Sequence, residues 1–207
     1  NDFNVDGTLR PGLPVSTYRS NVQPGDVKYV DLNGDGRIDA NDCAYQLYAA
    51  LPQIYYGFNI ELEWRGFGLN AYFQGMGRST VTTTLASIYQ PLYGNERNIS
   101  EHYMENRWSP YNTSGHYPRL TTQSNANNFA PSSLWTECGD FLKLRTLSLS
   151  YKLPARLASK IRMRECCLYL KGMNLFSADR IDILDPEYIN TGYPSARSYQ
   201  IGFNLIF

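Results

Sequence analysis

From Ile54 to Trp64 the sequence IYYGFNIELEW alternates strictly. Ile54, Tyr56, Phe58, Ile60, Leu62 and Trp64 are apolar or aromatic, and the positions between them are mostly polar or small. Side chains of a strand point to opposite faces in turn, so this pattern predicts a strand over 54–64 with one apolar face. Arg65-Gly66 supplies a tight turn, and a return strand over 66–74 places Phe67, Leu69, Ala71 and Phe73 on one side. At the far end, 197–207 carries Tyr199, Ile201, Phe203, Leu205 and Phe207 on one face, against Ser198, Gln200, Gly202 and Asn204. Two more strands are predicted over 141–152 and 165–174, joined by a short connector at 153–164 that has room for one helical turn.

The segments between these strands alternate in length. A long stretch precedes Ile54, a minimal turn follows, then a very long loop over 75–140, the short connector, and a long loop over 175–196. Outer-membrane barrels have this asymmetry, with short periplasmic turns and long extracellular loops, and strands of about ten residues. The predicted fold class is therefore all-β, an antiparallel transmembrane β-barrel. Residues 1–53 form an extracellular loop region and 54–207 the C-terminal strands, with the final strand ending in the periplasm. The competing architecture is an antiparallel β-sandwich, which shares the alternation but hides its apolar rows in a dry core. About five strands cannot close a membrane barrel, so a barrel of this kind needs further strands from a longer polypeptide or from a second chain.

Composition narrows the function. Lys+Arg and Asp+Glu both number 19, giving a formal net charge of zero and no field to attract nucleic acid. Aromatic residues reach 14%, with 17 Tyr and 16 Gly, a mixture that favours strands and turns. The mean hydropathy of −0.42 is compatible with barrel strands, which show lipid only every second side chain. The sequence opens Asn1-Asp2-Phe3 without Met or an apolar leader, so any export signal is expected upstream or already removed.

Cys43, Cys138, Cys166 and Cys167 form no C-x-x-C pair, and His102 and His116 lie far from them in sequence, which argues against a zinc site. Free thiols are expected, a Cys43–Cys138 disulfide being the alternative. No nucleophile elbow, H-E-x-x-H, P-loop or dinucleotide fingerprint is present. Glu61 and Glu63 share a strand face, as a glycosidase pair would, but on a barrel strand they would line the polar lumen. The chain is not expected to be an enzyme.

The sharpest local motif is DLNGDGRIDAND over 31–42. It matches the EF-hand loop, with Asp31, Asn33, Asp35, Asp39 and Asp42 at side-chain oxygen positions and Arg37 at the position that offers its backbone carbonyl. Gly36 makes the sharp turn and Ile38 is the inward apolar residue. Carboxylates this close repel one another unless a cation sits among them, and hard oxygen ligands favour calcium. Asp42 replaces the usual Glu with a shorter arm, so a weak structural site is expected, with Kd on the order of 10⁻⁴–10⁻³ M. A solvated acidic turn is the alternative.

In this order, Pro24-Gly25-Asp26-Val27-Lys28-Tyr29, DLNGDGRID, Tyr56-Gly57-Phe58-Asn59, Gly66-Phe67-Gly68-Leu69 and Phe73-Gln74-Gly75 resemble the C-terminal region of SusC/RagA transporters. So do Tyr117-Pro118-Arg119-Leu120, Asp140-Phe141-Leu142-Lys143-Leu144-Arg145, Leu149-Ser150-Tyr151-Lys152-Leu153-Pro154, Gly172-Met173-Asn174-Leu175-Phe176, Asp185-Pro186-Glu187 and the terminal strand. The resemblance implies a barrel of about 22 strands with a plugged lumen. It also implies TonB-coupled nutrient import across a Gram-negative outer membrane and a SusD-like surface lipoprotein as lid. The plug and the TonB-contacting region have no counterpart in these residues. The aromatic-ended final strand, Tyr199 to Phe207, resembles the signal read by the barrel-assembly machinery.

The loop over 75–140 carries Trp108, Tyr111, His116, Tyr117 and Trp135, with a short helix expected over Asn98–Trp108. These rings suit stacking on sugar or holding a partner, and equally suit packing a loop core. The leading reading is a transporter importing glycans or peptides. The alternatives are a secreted calcium-stabilised β-sandwich that binds carbohydrate or protein, and a dockerin-like calcium module on a hydrolase.

Overall fold

The computed structural model describes residues 2–18, 21–83, 92, 98–181, 184–188 and 193–207. Parts of both long loops, 84–91, 93–97, 182–183 and 189–192, lie outside the described residues. The chain divides into two compact units, Asn1–Leu47 with Thr82–Thr136, and Tyr48–Val81 with Glu137–Phe207. Most of the very long loop thus groups with the N-terminal region instead of with the strands it connects.

The first unit is largely irregular. Its short β1 (Val15–Ser16) and β2 (Arg37–Ile38) pair in parallel, Val15 opposite Arg37 and Ser16 opposite Ile38. Helix α1 (Glu101–Asn106) is shorter than the 98–108 span expected from sequence. It begins where the Ser100 hydroxyl accepts the Tyr103 amide, a side-chain cap, and ends at Arg107, whose backbone turns extended. A 3-10 turn at Ser133–Trp135 follows.

The second unit is built on one antiparallel sheet of five strands in sequential order: β3 (Ile54–Trp64), β4 (Phe67–Gly77), β7 (Phe141–Lys152), β8 (Glu165–Ala178) and β9 (Ser198–Ile206). Two short strands, β5 (Thr80–Thr82) and β6 (Thr136–Cys138), pair separately. The β3–β4 hairpin closes through Arg65 (φ 49°) and Gly66 (φ 90°), with Trp64 opposite Phe67. Two successive positive φ values match the twist of the flanking strands. A Cβ on Gly66 would lie 2.7 Å from the Lys152 carbonyl oxygen, so the position needs glycine for space as well as for φ.

The β7–β8 connector forms helix α2 (Ala155–Lys160), ending through Arg162 (φ 58°) with the Met163 amide returning to the Ala158 carbonyl. β4 and β8 run beyond their expected ends to Gly77 and Ala178, which shortens both long loops. No helix among the described residues is long and apolar enough to cross a membrane, which leaves strand crossing untouched.

Candidate functional site

Register carries side-chain parity from strand to strand. The rows Trp64–Phe67–Tyr151–Leu168–Phe203 and Leu62–Leu69–Leu149–Leu170–Ile201 run across all five strands on one face. The next row is Ile60–Ala71–Leu147–Gly172–Tyr199. Phe58, Phe73, Leu144 and Phe176 continue it, beyond a bulge. Registers shift between Tyr72 and Phe73 and between Leu144 and Thr146, so Arg145 is passed over in both ladders. Asn174, at φ 53°, lies in the matching irregular stretch of β8. The bulge reverses parity within β7 and keeps both Leu142/Leu144 and Leu147/Leu149 on the same face.

Most large side chains of this apolar face are exposed, Trp64 at 66% and Ile201 at 85%, while the small Ala71 is buried. From Trp64 to Ile54 the strand rises about 34 Å, or about 24 Å once tilted as barrel strands are, close to the apolar band of an outer-membrane barrel. Aromatic residues predominate in the first and fourth rows, and the two between are aliphatic except for Gly172 and Tyr199 in the third. Phe58 stacks on Phe73 with ring centroids 4.7 Å apart, and Phe67 lies tilted against Tyr151 at 4.4 Å.

The opposite face carries Asn59, Glu61, Glu63, Asn70, Gln74, Ser148, Ser150, Lys171, Gln200 and Asn204. Glycines on both faces lie under tyrosine rings. A Cβ on Gly75 would come within 2.5 Å of the Tyr56 ring, and Tyr56 Oη donates to the Phe141 carbonyl at 2.9 Å. On the polar face, Gly202 sits under Tyr169 in the same way. The predicted assembly-signal residues Tyr199, Ile201, Phe203 and Leu205 fall on one face of β9, while Phe207 follows the strand's last paired residue.

An ionic cluster joins the polar side of β7 to the loop between β8 and β9. Lys143 Nζ donates to Asp185 and, at 2.9 Å, to Glu187; Arg145 donates to Glu187 and to Gln74 Oε1 at 3.1 Å. The Lys143 side chain is only 4% accessible. Burial alone would raise Asp185, but the hydrogen bond from Lys143 and those from the Glu187 and Ser195 amides overcome it and hold the carboxyl at about 2.

In the first unit, the aromatic residues expected to meet substrate or partner divide. Tyr117 (6% accessible) and Trp135 (3%) are core residues: Tyr117 stacks on Tyr103 at 4.7 Å, and Trp135 Nε1 donates to the Asn128 carbonyl at 2.8 Å. Both rings bury their apolar surface against neighbouring rings. Trp108 is half-buried and packs over Gly25, where a Cβ would approach its ring to 2.2 Å. Tyr111 and His116 are exposed. Beside this aromatic stack Asp26 accepts from Arg119 Nε at 2.7 Å, Asn125 Nδ2 at 3.1 Å, Asn128 Nδ2 at 3.0 Å and the Gln23 amide at 2.9 Å. Asn125, Asn127 and Asn128 are almost wholly buried. Nothing in the sequence singled them out, since asparagine in a long loop ordinarily reads as solvated.

The 31–42 loop closes on itself. Asp31 accepts the Gly34 and Gly36 amides at 2.6 and 2.8 Å, Asn33 the Asp35 amide at 3.0 Å, Asp35 the Arg37 amide at 2.8 Å, and Asp42 the Leu32 and Asp39 amides at 2.8 and 2.9 Å. The Asp39 amide chiefly, then those of Leu32 and Asn33, hold the Asp42 carboxyl below its ordinary range. Ile38 is buried and its carbonyl accepts Thr17 Oγ1 at 2.8 Å, which pins the loop to the β1 segment. No group of three or more His, Cys, Asp or Glu side chains among the described residues is arranged to hold a metal. All four cysteines are free thiols.

No family model matches the chain. It is 28% identical over 210 residues to TonB-dependent receptor P26 of Formosa agariphila, covering 94% of this chain and 21% of that protein. To TonB-dependent receptor P3 of the same organism it is 27% identical, covering 93% and 20%. Among solved structures it aligns with the RagAB peptide importer in its open-open state at a TM-score of 0.62 and 22% identity, over 83% of this chain and 19% of that one. A structure of the RagAB peptide transporter aligns at 0.59 and 24%, over 76% and 17%. The chain thus spans about a fifth of the length of these relatives. Its antiparallel five-stranded sheet matches part of the RagA barrel, and the chain is related, at distant identity, to the TonB-dependent receptors.

Proposed function

We propose that this chain is a stretch of barrel wall with its surface loops in a TonB-dependent transporter of the SusC/RagA type. The transporter imports glycans or peptides across the outer membrane of a Gram-negative bacterium. The observation that carries this reading is the apolar face of the sheet, continuous in register across five strands and exposed, backed by a polar face. In water such a face would cost roughly 25 cal/mol per Å² of apolar surface left uncovered. In a bilayer it is the face that meets lipid, and the polar rows line the lumen. Edge strands β3 and β9 each have one neighbour in the sheet, so further barrel strands would satisfy their outer backbone groups. A secreted β-sandwich would hide the same rows against a second sheet, contrary to their exposure.

In this orientation the Arg65-Gly66 turn, α2 and the end of β9 are periplasmic, and the 31–42 and 98–138 regions lie on the cell surface beneath a SusD-like lipoprotein. Energy enters through TonB and the plug, from parts of the transporter beyond these residues. The chain performs no bond chemistry. Its polar face and loops offer passage and contacts, and the β9 residues Tyr199 to Phe207 serve the barrel-assembly machinery. The 31–42 loop takes up calcium by turning carboxylate lone pairs left over from the amide bonds toward the ion, which braces the surface region.

An arginine placed on each face tests the reading. In the transporter that contains this segment, Leu147→Arg, in the central Ile60–Ala71–Leu147 row, is expected to cost about 2–4 kcal/mol near the bilayer midplane and to deplete the folded outer-membrane form. Ser148→Arg, one residue away on the lumenal side, is expected to be tolerated. Equal depletion by both, or by neither, would remove the assignment of faces.

A further inference from the structure

The short-connector end of the sheet carries an unusual concentration of positive charge. The Arg65-Gly66 turn lies beside the end of β7, because the Lys152 amide donates to the Gly66 carbonyl at 2.7 Å. The end of β9 is held to the same place by the Arg164 amide, which donates to the Ile206 carbonyl at 2.7 Å. This end therefore gathers Arg65, Lys152, Arg156, Lys160, Arg162 and Arg164, all exposed. Among the described residues, the acid paired there is Glu165, with Lys152 at 2.9 Å. Glu63 lies on the polar face of β3. At the other end of β7 the charges are instead consumed internally, Lys143 and Arg145 by Asp185 and Glu187.

Immediately behind the basic rim, on the apolar face, the sheet forms a groove of about 490 Å³ walled by Trp64, Phe67, Tyr151, Leu168, Leu170 and Ile201. The Arg65 guanidinium lies 5.0 Å over the centroid of the Trp64 ring, which places a cation at the groove's mouth. In the connector, Leu157 and Ile161 stand four residues apart, both about half exposed, between the basic side chains. Apolar side chains interleaved with Lys and Arg at this spacing suit an interface between hydrocarbon and headgroups. Charge and shape together select one occupant: cations for a headgroup phosphate, and an apolar slot for the chain attached to it.

From this juxtaposition we infer that the short-connector end is a docking site for an anionic phospholipid, its acyl chain in the Trp64–Ile201 groove and its headgroup against Arg65, Arg162 and Arg164. The inference rests on the lipid-facing reading of the apolar rows. It adds a preference for negative headgroups that a hydrophobic belt alone would not have. Each basic side chain near an anionic lipid surface adds favourable attraction that fades within a Debye length.

The test uses the transporter containing this segment in phosphatidylcholine vesicles doped with brominated-chain phosphatidylglycerol or, at the same fraction, brominated-chain phosphatidylcholine. Quenching of the emission that disappears in Trp64→Phe is the readout. The expected result is an apparent enrichment of phosphatidylglycerol at Trp64 of at least about fivefold. It should be lost in Arg65→Gln/Arg162→Gln/Arg164→Gln and, in the unmodified protein, reduced by about 0.5 M salt. Equal quenching by the two lipids in the unmodified protein, or a preference indifferent to both salt and variant, would overturn the headgroup site while leaving the lipid-facing sheet in place. Quenching by neither lipid would overturn both.

Discussion

Arg119 Nε donates to Asp26 Oδ1 at 2.7 Å, joining two segments 93 residues apart in the sequence. The Asp26 side chain is 2% accessible, and it also receives Asn125, Asn128 and the Gln23 amide. A buried carboxylate that loses its cation is left with uncompensated charge. Arg119→Ala is therefore expected to destabilise the first unit by about 3 kcal/mol, with Asp26→Ala comparable and the double variant much less than additive. Denaturant unfolding of the four proteins, followed through Trp135 emission, measures the coupling. Additive costs would mean that the pair does not act as a unit.

Asp185 predicts a pH response confined to strong acid. Its folded pKa is depressed to about 2, so the stabilisation it brings is fully present above the ordinary carboxylate pKa of about 3.9 and is lost as pH falls from there toward 2. The 184–188 segment should stay docked on β7 at pH 5 and loosen near pH 3. Lys143→Met removes the principal donor to Asp185 and should move that transition upward by about one unit or more. Protease sensitivity of the segment against pH reads the midpoint. A transition at the same pH in both proteins would show that Lys143 does not set it.

The 31–42 loop predicts a calcium dependence of stability. Millimolar calcium should raise the unfolding temperature of the protein, with a Kd on the order of 10⁻⁴–10⁻³ M, and Asp31→Ala should abolish the increment. Calorimetric titration with calcium alone, repeated with magnesium, measures it. No heat and no shift in the unmodified protein would establish the loop as a self-contained turn whose carboxylates are satisfied by its own amides.

The sheet was legible because alternation is local. Ile54 to Trp64 and Tyr199 to Leu205 display their faces without any knowledge of neighbours, and the Arg65-Gly66 turn fixes the register between β3 and β4. Less legible was the middle of β7, where Leu142 and Leu144 fall on one parity and Leu147 and Leu149 on the other. The switch makes sense only with the bulge at Arg145 and the left-handed Asn174 on the neighbouring strand. The extension of β4 was missed because Gly75 and Gly77 have weak strand preference and are recruited by pairing, and that of β8 because the left-handed Asn174 interrupts the alternation just before Leu175 and Phe176.

The loop region was the least readable from sequence. That Asn125, Asn127 and Asn128 are buried depends on contacts about a hundred residues away, such as Asn128 Oδ1 accepting the Val27 amide at 2.9 Å, while Trp135 and Tyr117 turn inward onto Asn128 and Tyr103 of the same loop. A polar side chain in a loop carries no mark of whether its partner will be water or a distant backbone amide. The motifs Pro24-Gly25-Asp26 and Tyr117-Pro118-Arg119 were visible as strings, and the ion pair that joins them was not.

On a barrel wall, neighbouring side chains of one strand face hydrocarbon and water by turns. Leu149→Trp and Ser148→Trp, each made in the transporter containing this segment and placed in bilayers with brominated acyl chains, measure it directly. The added emission at 149 should be quenched by the brominated lipid and spared by aqueous iodide, and that at 148 should show the reverse. If both added tryptophans were reached only by iodide, or both equally by lipid, the sheet would not be a barrel wall.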